Sequence, residues 1–264
     1  MCIVALALGR HPDWPLVIAA NRDEFHQRPA LPAAPWTDAA SIVGGRDLEA
    51  GGSWLAMRAD GRFAAVTNVR RPGVPRGARS RGDLVSDLVR ADAGPAAWLA
   101  ALNGQRGDYA PFNLVVGDAG MVWWLESESG AHGRFAPGVH AFSNGPVGAP
   151  WPKCQGVASA LARALADTRP RVDTIMAALA DTSVAADAEL PDTGVGLEME
   201  RFLSPVHIVG DRYGTRASTV LALAADGAHR LLERRFGPGG VCEGESAWRT
   251  DAKGWTSSAW PEVL

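Results

Sequence analysis

MCIVALALGRHPDWPLVIAANRDE, residues 1–24, carries the pattern on which the fold turns. Cys2 to Leu8 and Leu16 to Asn21 are short apolar runs with Val and Ile, joined by a Pro-containing loop, and read as two buried, adjacent strands. The second run ends in four polar residues, Asn21-Arg22-Asp23-Glu24, on the hairpin partner of the strand that begins at Cys2.

Outward from this hairpin, Ser53 to Arg58 and Phe63 to Asn68 flank Asp60-Gly61, a pair that tolerates positive φ and so favours a tight turn. Four strands are therefore expected before any helix. Ser80 followed by Asp83 resembles a capping box opening a helix through Ala91, and Pro95 suits the first turn of another running to Leu102. Strand character returns at Asn113 to Gly117, Met121 to Glu126 and Val139 to Ser143. Helical spacing follows over Cys154 to Ala166 and Val172 to Ala180, and further strands are expected at Val206 to Val209, Ser218 to Leu223 and His229 to Phe236.

Groups of strands and helices without βαβ alternation specify an α+β fold of antiparallel sheets with segregated helices. Residues 1–236 are expected to form a single domain. Residues 237–264 turn polar after Gly237-Pro238-Gly239-Gly240 and are expected to pack on that domain through Trp248, Trp255 and Trp260, or to be partly disordered.

With 264 residues and 47% hydrophobic composition, one large core is affordable. The net charge of −3, from 26 basic and 29 acidic residues, provides no cationic field for nucleic acid or anionic lipid, so neither is expected as a partner. Three cysteines, Cys2, Cys154 and Cys242, share no Cys-x-x-Cys spacing, which argues against a disulfide framework or zinc site and suits a reducing cytoplasm. No basic leader precedes the first apolar run, and no later stretch reaches the roughly 18 apolar residues of a membrane-spanning helix. A cytoplasmic location without an integral membrane segment is expected. The six histidines show neither helical i,i+4 pairing nor metalloprotease spacing, and no metal site is expected.

Cys2 is the position with most chemistry. If the initiator methionine is removed, thiol and α-amine share one residue. The amine, with an ordinary pKa of about 7.7–8.0 against about 8.5 for the thiol, can take the thiol proton and return it to a leaving group. The plain alternative is a small apolar residue in a buried strand. Arg22 can hold a thiolate or carboxylate by bidentate hydrogen bonds, and Asp23 can accept from the α-ammonium; the plain alternative is a solvated turn with a local salt bridge. Trp54, Trp123, Trp124 and Trp151 could line an apolar ligand cavity, although large aromatics are more often core.

Met1-Cys2-Ile3-Val4, Asn21-Arg22-Asp23-Glu24, Gly51-Gly52-Ser53-Trp54-Leu55 and Thr67-Asn68-Val69-Arg70 together resemble the NRDE family, the transport and Golgi organisation 2 homologues. Phe142-Ser143-Asn144-Gly145-Pro146, Trp151-Pro152-Lys153, Leu190-Pro191-Asp192-Thr193-Gly194, Tyr213-Gly214-Thr215-Arg216 and Ser218-Thr219-Val220 continue the resemblance in order. The family in turn is similar to N-terminal nucleophile hydrolases of the cysteine type. That resemblance implies a four-layer αββα sandwich, with Cys2 as nucleophile, Arg22, Asp23, Asn144 and Arg216 around it, and Asn144 as oxyanion donor. The Arg and Asp of those enzymes are spaced differently from the adjacent Arg22 and Asp23. Asn21, Glu24, Trp54, Asn68 and Arg70 are the expected substrate-binding residues. The implied function is an amidohydrolase or thioesterase acting on a small acylated substrate with no required cofactor. The alternative is a non-catalytic binding or trafficking protein on the same fold, carrying haem or an acyl-coenzyme A or lipid ligand.

Overall fold

A computed structural model describes residues 2–118 and 120–264, Cys2 by its backbone alone. The Cys2 thiol and Met1, on which the nucleophile reading turns, lie outside the described residues, as does Ala119.

The opening hairpin forms as expected. β1 (Cys2–Leu8) pairs antiparallel with β2 (Leu16–Phe25), in a register that sets Cys2 opposite Arg22 and Leu8 opposite Leu16. β2 runs four residues beyond its expected end, so the tetrad lies within the strand rather than in a turn after it.

Six strands, not four, precede the first helix. β3 (Ala30–Trp36) and β4 (Ala39–Asp47) form a hairpin that the sequence hides behind Pro32, Pro35 and a Gly44-Gly45 pair. The prolines are tolerated because β3 is an edge strand whose register slips at Leu31/Ala34 and Pro35/Trp36. Gly45 is required by close packing: a Cβ there would collide with the Trp54 ring. β5 (Leu55–Arg58) and β6 (Phe63–Asn68) follow, then α1 (Arg81–Arg90), whose N-cap Ser80 accepts from the Gly82 N–H as expected, and α2 (Pro95–Asn103). β7 (Phe112–Gly117), β8 (Val122–Glu126), the short β9 (His132–Arg134) and β10 (Gly138–Phe142) lead to α3 (Pro152–Ala164), α4 (Val172–Leu179) and α5 (Leu197–Phe202). The chain ends with β11 (Tyr213–Leu223), β12 (Arg230–Phe236), β13 (Cys242–Asp251) and β14 (Gly254–Ser257).

Two expectations need correction. Val206 to Val209 is not a strand, because local side chains take its backbone groups: Asn21 Nδ2 donates to the Val206 carbonyl and Thr215 Oγ1 accepts from the Ile208 N–H. Residues 242–257 are not a surface tail, because β13 and β14 extend the sheet.

The strands make two seven-stranded antiparallel sheets, β10-β1-β2-β11-β12-β13-β14 and β3-β4-β5-β6-β7-β8-β9. Strand alternation then sorts the apolar residues into three cores. Leu6, Ile18, Met57, Phe63, Val115, Phe142 and Leu221 pack between the sheets. Val17, Ala19 and Val220 on the outer face of the first sheet pack against Val157, Leu161, Ile175 and Leu179 of α3 and α4. Leu114, Phe112 and Leu125 on the outer face of the second pack against Leu84 and Leu88 of α1 and Leu99 of α2. The result is a four-layer αββα sandwich, the layer order implied by the sequence resemblance.

Trp255 of β14 is buried in the inter-sheet core and its Nε1 donates to the Ser41 carbonyl of β4 at 3.0 Å. Trp255→Ala should therefore destabilise the whole chain by about 3–5 kcal/mol, the range for large aromatic truncations in a core. Denaturant midpoints check this; a loss below about 1 kcal/mol would mean that the last hairpin is peripheral to the core.

Candidate functional site

β2 is central in its sheet, flanked by β1 and β11, and its last residues carry the tetrad. Asn21, Arg22 and Asp23 are 1%, 6% and 1% exposed, which removes the solvated-turn reading, whereas Glu24 is half-buried and accepts from the neighbouring Phe25 N–H. Alternation along the strand sends these side chains to different layers.

Asn21 and Asp23 face the layer of α3 and α4. Asn21 Nδ2 donates to the carbonyls of Leu179 and Val206 at 2.8 Å each, and its Oδ1 accepts from Ser218 Oγ at 2.7 Å. That amide is fully used in holding the chain together and has little capacity left for a substrate. Asp23 Oδ1 accepts from Thr215 Oγ1 at 2.7 Å. Burial raises the Asp23 carboxyl above its ordinary range, opposed by the nearby Lys153 charge, the Thr215 hydrogen bond and His207. Burial lowers His207 in turn, opposed by Asp23.

Arg22 faces the space between the sheets. It stacks over Trp54 at 4.4 Å and its Nη2 donates to Asp47 Oδ2 at 3.1 Å. Asp47, at the end of β4, also takes a two-pronged contact from Arg28 at 2.6 and 3.2 Å and the N–H groups of Glu49 and Ala50. Burial pushes Asp47 up, but the Arg28 and Ala50 hydrogen bonds, with the charges of Arg28 and Arg22, hold it below the usual carboxylate range.

Asn144 lies two residues past Phe142. Phe142 pairs with Val4, so the chain leaves β10 at the end of the sheet where β1 begins and the tetrad lies. Asn144 Nδ2 donates to the Asn68 carbonyl at 2.9 Å and to Asn68 Oδ1 at 3.2 Å, and the Asn144 carbonyl accepts from the Arg70 N–H at 2.7 Å. Asn68, Arg70 and Asn144 thus form one cluster. The Arg70 guanidinium pairs with Glu200 through Nη1 and lies 5.3 Å from the Trp151 ring centroid.

Arg216 does not aim its guanidinium into this cluster. It sits at a register slip between Thr215 and Ala217, and its Nη1 donates to the carbonyls of Phe25, His26 and Arg28 at 3.0–3.1 Å. The four tryptophans do not share a cavity either. Trp54 stacks on Arg22, Trp151 covers Arg70, and the neighbours Trp123 and Trp124 face opposite sides of their strand, one toward the α1/α2 core and one toward the inter-sheet core.

Several site residues had no signal in the sequence. Asp47 is a lone carboxylate after Gly44-Gly45-Arg46, and Glu200 sits in an acidic stretch that reads as solvated. Glu233 is buried between the sheets, accepts the Ala33 N–H at 2.8 Å and lies 3.9 Å from Arg235. Lys153 and Thr215, by contrast, lie in motifs that the sequence already marks.

Asn21, Arg22 and Asp23 are thus buried in an interior strand of a four-layer sandwich, beside a strand beginning at Cys2. The chain belongs to the Transport and Golgi organisation 2 family, whose model matches residues 1–238. The Transport and Golgi organization protein 2 homologs of Bos taurus and Homo sapiens are each 31% identical to it over 255 residues, covering 89% of this chain and 92% of each relative. The Mus musculus homolog is 28% identical over 272 residues, 95% of this chain and 97% of its own. Among solved structures, the chain is similar to a conjugated bile acid hydrolase from Clostridium perfringens, at 9% identity and a TM-score of 0.49, over 100% of this chain and 98% of that one. It is also similar to an N-acylethanolamine-hydrolyzing acid amidase ortholog from Caenorhabditis elegans, at 13% identity and a TM-score of 0.44, over 83% and 92%. Among the described residues, no helix is long and apolar enough to cross a membrane.

Burial raises the Glu233 carboxyl from 4.5 to about 6, against the Ala33 hydrogen bond and the charges of Arg235 and Arg22. Between these values the folded chain holds a proton that the unfolded chain releases. Its contribution to stability is therefore largest below the unfolded value and falls, by on the order of 2 kcal/mol, as pH rises through about 6. Glu233→Gln, neutral throughout, should gain on the native protein over that window in unfolding measured from pH 4.5 to 7. Parallel stability curves would show that Glu233 does not titrate there.

Proposed function

We propose that the chain is an N-terminal cysteine hydrolase cleaving an amide or thioester bond of a small acylated substrate. The observation that carries this reading is the register of β1 on β2: Cys2, which becomes the first residue once Met1 is removed, lies directly opposite the buried Arg22. In this reading the α-amine takes the thiol proton and Sγ bonds to the acyl carbon. The amine or thiol leaving group receives that proton as its bond breaks, and water then releases the acid from the Cys2 thioester. Arg22, fixed by Asp47 and Trp54, supplies positive charge beside the reacting group without having to be ordered first. Asp23 on the same strand carries the buried carboxyl that balances positive charge on the other face.

A second reading is a non-catalytic protein that binds an acyl, acyl-coenzyme A or haem-like ligand at the same place. It is favoured by the Asn144 amide, which already holds Asn68 and must exchange that partner to donate to an oxyanion. For haem the donors are poor. Burial pushes the Cys154 thiol up to about 11, so it is not a thiolate at neutral pH, and His140 spends Nε2 on the Ala136 carbonyl, which leaves Nδ1 alone as a donor atom for a metal.

Intact mass before and after a cysteine-directed alkylator separates the readings. Hydrolysis requires loss of Met1 and fast alkylation that disappears in Cys2→Ala, together with release of acid from an acylated amine that Cys2→Ala abolishes. A retained Met1 with a slow Cys2 would leave only the binding reading.

A further inference from the structure

From Asp181 to Phe202 the chain leaves the layers and forms a loop closed at its neck, where the His207 N–H donates to the Asp181 carbonyl at 2.8 Å. It contains one 3-10 turn at Asp187–Glu189 and α5. Val184, Leu197 and Met199 are 59%, 49% and 45% exposed, while Leu190 and Phe202 are only half-buried. Among the described residues of this loop, Glu200 alone is buried.

What Glu200 holds is Arg70. One carboxylate oxygen meets Arg70 Nη1, and the other accepts from the backbone N–H and Oγ1 of Thr193, which closes the loop on itself. A loop fixed by apolar burial does not yield to a polar ligand, whereas one fixed by an ion pair yields to any carboxylate that satisfies the arginine better. Arg70 leaves room for that. Its side chain is 5% exposed, yet Nε and Nη2 have no hydrogen-bond partner among the described residues. The cavity beside it, lined by Arg70, Trp151, Lys153, Glu200 and Leu190, measures about 10 Å³, roughly the room one water needs. The Arg70 backbone N–H bonds the Asn144 carbonyl, so this cavity lies beside the cluster of Asn68, Arg70 and Asn144.

We infer that residues 181–202 form a strap latched by Glu200 onto Arg70, and that a ligand carboxylate displaces Glu200, takes the Arg70 fork bidentately and opens the strap. One carboxylate–guanidinium pair replaces another, the second prong of the fork gains a partner, and Glu200 returns to water. This deepens the proposed function by making the substrate an acylated compound with its own carboxylate. It rests on the ligand site lying at the tetrad and not on Cys2 chemistry.

Amide hydrogen exchange on full-length Cys2→Ala, which cannot turn the probe over, tests it with N-decanoylglycine and its neutral amide, N-decanoylglycinamide, at millimolar concentration. The acid should speed exchange in residues 181–202 at least ten-fold while the sheets stay unchanged, and the amide should not. In Glu200→Gln the same segment should exchange at least ten-fold faster without ligand; the probe comparison does not depend on that variant folding. Equal response to acid and amide, or no response to either, as expected if the cavity holds one water only, overturns the latch. Turnover of N-decanoylglycine by the native chain is read separately: a strap that responds without turnover sinks the hydrolase and keeps the latch, and turnover with an unresponsive strap does the reverse.

Discussion

Among the hydrogen bonds that join the two sheets, one group clamps the chain leaving β10 to β6 and β7. Thr67 Oγ1 donates to the Ser143 carbonyl at 2.8 Å, Asn113 Nδ2 donates to the Gly145 carbonyl at 2.7 Å, and the Arg70 N–H donates to the Asn144 carbonyl at 2.7 Å. Thr67 and Asn113 lie opposite each other on β6 and β7, so one sheet presents paired polar groups to the chain leaving β10 on the other. Apolar contact between sheets is non-directional and tolerates sliding; buried hydrogen bonds do not, because each broken one leaves a desolvated donor or acceptor. These bonds therefore set how β10 sits over β6, and with it where β1 and β2 end.

That fixed end lets charge be buried in a central strand. Arg22 and Asp23 would each be costly in an apolar layer, and each is compensated by a side chain of another strand. Arg22 reaches Asp47 on the other sheet. Asp23 reaches Thr215, whose hydroxyl also accepts the Ile208 N–H. The partners lie 25 and 192 residues away in sequence, so the arrangement forms only when β2, β11 and the facing sheet are assembled. It is a consequence of the fold rather than a driver of it.

This also explains what was legible. The α+β class, the opening hairpin, the Ser80 cap and most strands follow from local periodicity and turn chemistry, which act over a few residues, whereas the αββα layer order was implied by the family resemblance alone. β3 was illegible because Pro32 and Pro35 exclude a central strand, and only its place at a sheet edge makes them harmless. Val206 to Val209 carried a strand pattern, but Asn21 and Thr215 claim its backbone groups from across the sheet. For the site, Asn21 to Glu24, Asn68, Arg70 and Asn144 could be marked by motif, and they do converge at one end. Their roles could not be, because whether an Asn holds a substrate or a carbonyl depends on neighbours such as Leu179 that no spacing reveals. Asp47 and Glu200 are ordinary surface carboxylates by composition and are buried only because an arginine lies beneath each.

The tetrad's alternation has a consequence for how the site can work. Arg22 looks into the space between the sheets, while Asn21 and Asp23 look toward the helices and grip the segment just after the strap: Asn21 through the Val206 carbonyl, Asp23 through Thr215 and the Ile208 N–H. The strap's far end is thus fixed to β2, and its neck is tied back to Asp181 by His207. Motion is left to the stretch between, which Glu200 holds on Arg70 and the Ala185 N–H holds on Ser204 Oγ. The Arg70 backbone in turn bonds the Asn144 carbonyl. A ligand that exchanges partners at Arg70 therefore acts on a residue already joined to the clamp between the sheets. Arg70, Asn144 and Asn68 thus make one hydrogen-bonded unit, and any exchange at the Arg70 guanidinium is felt there.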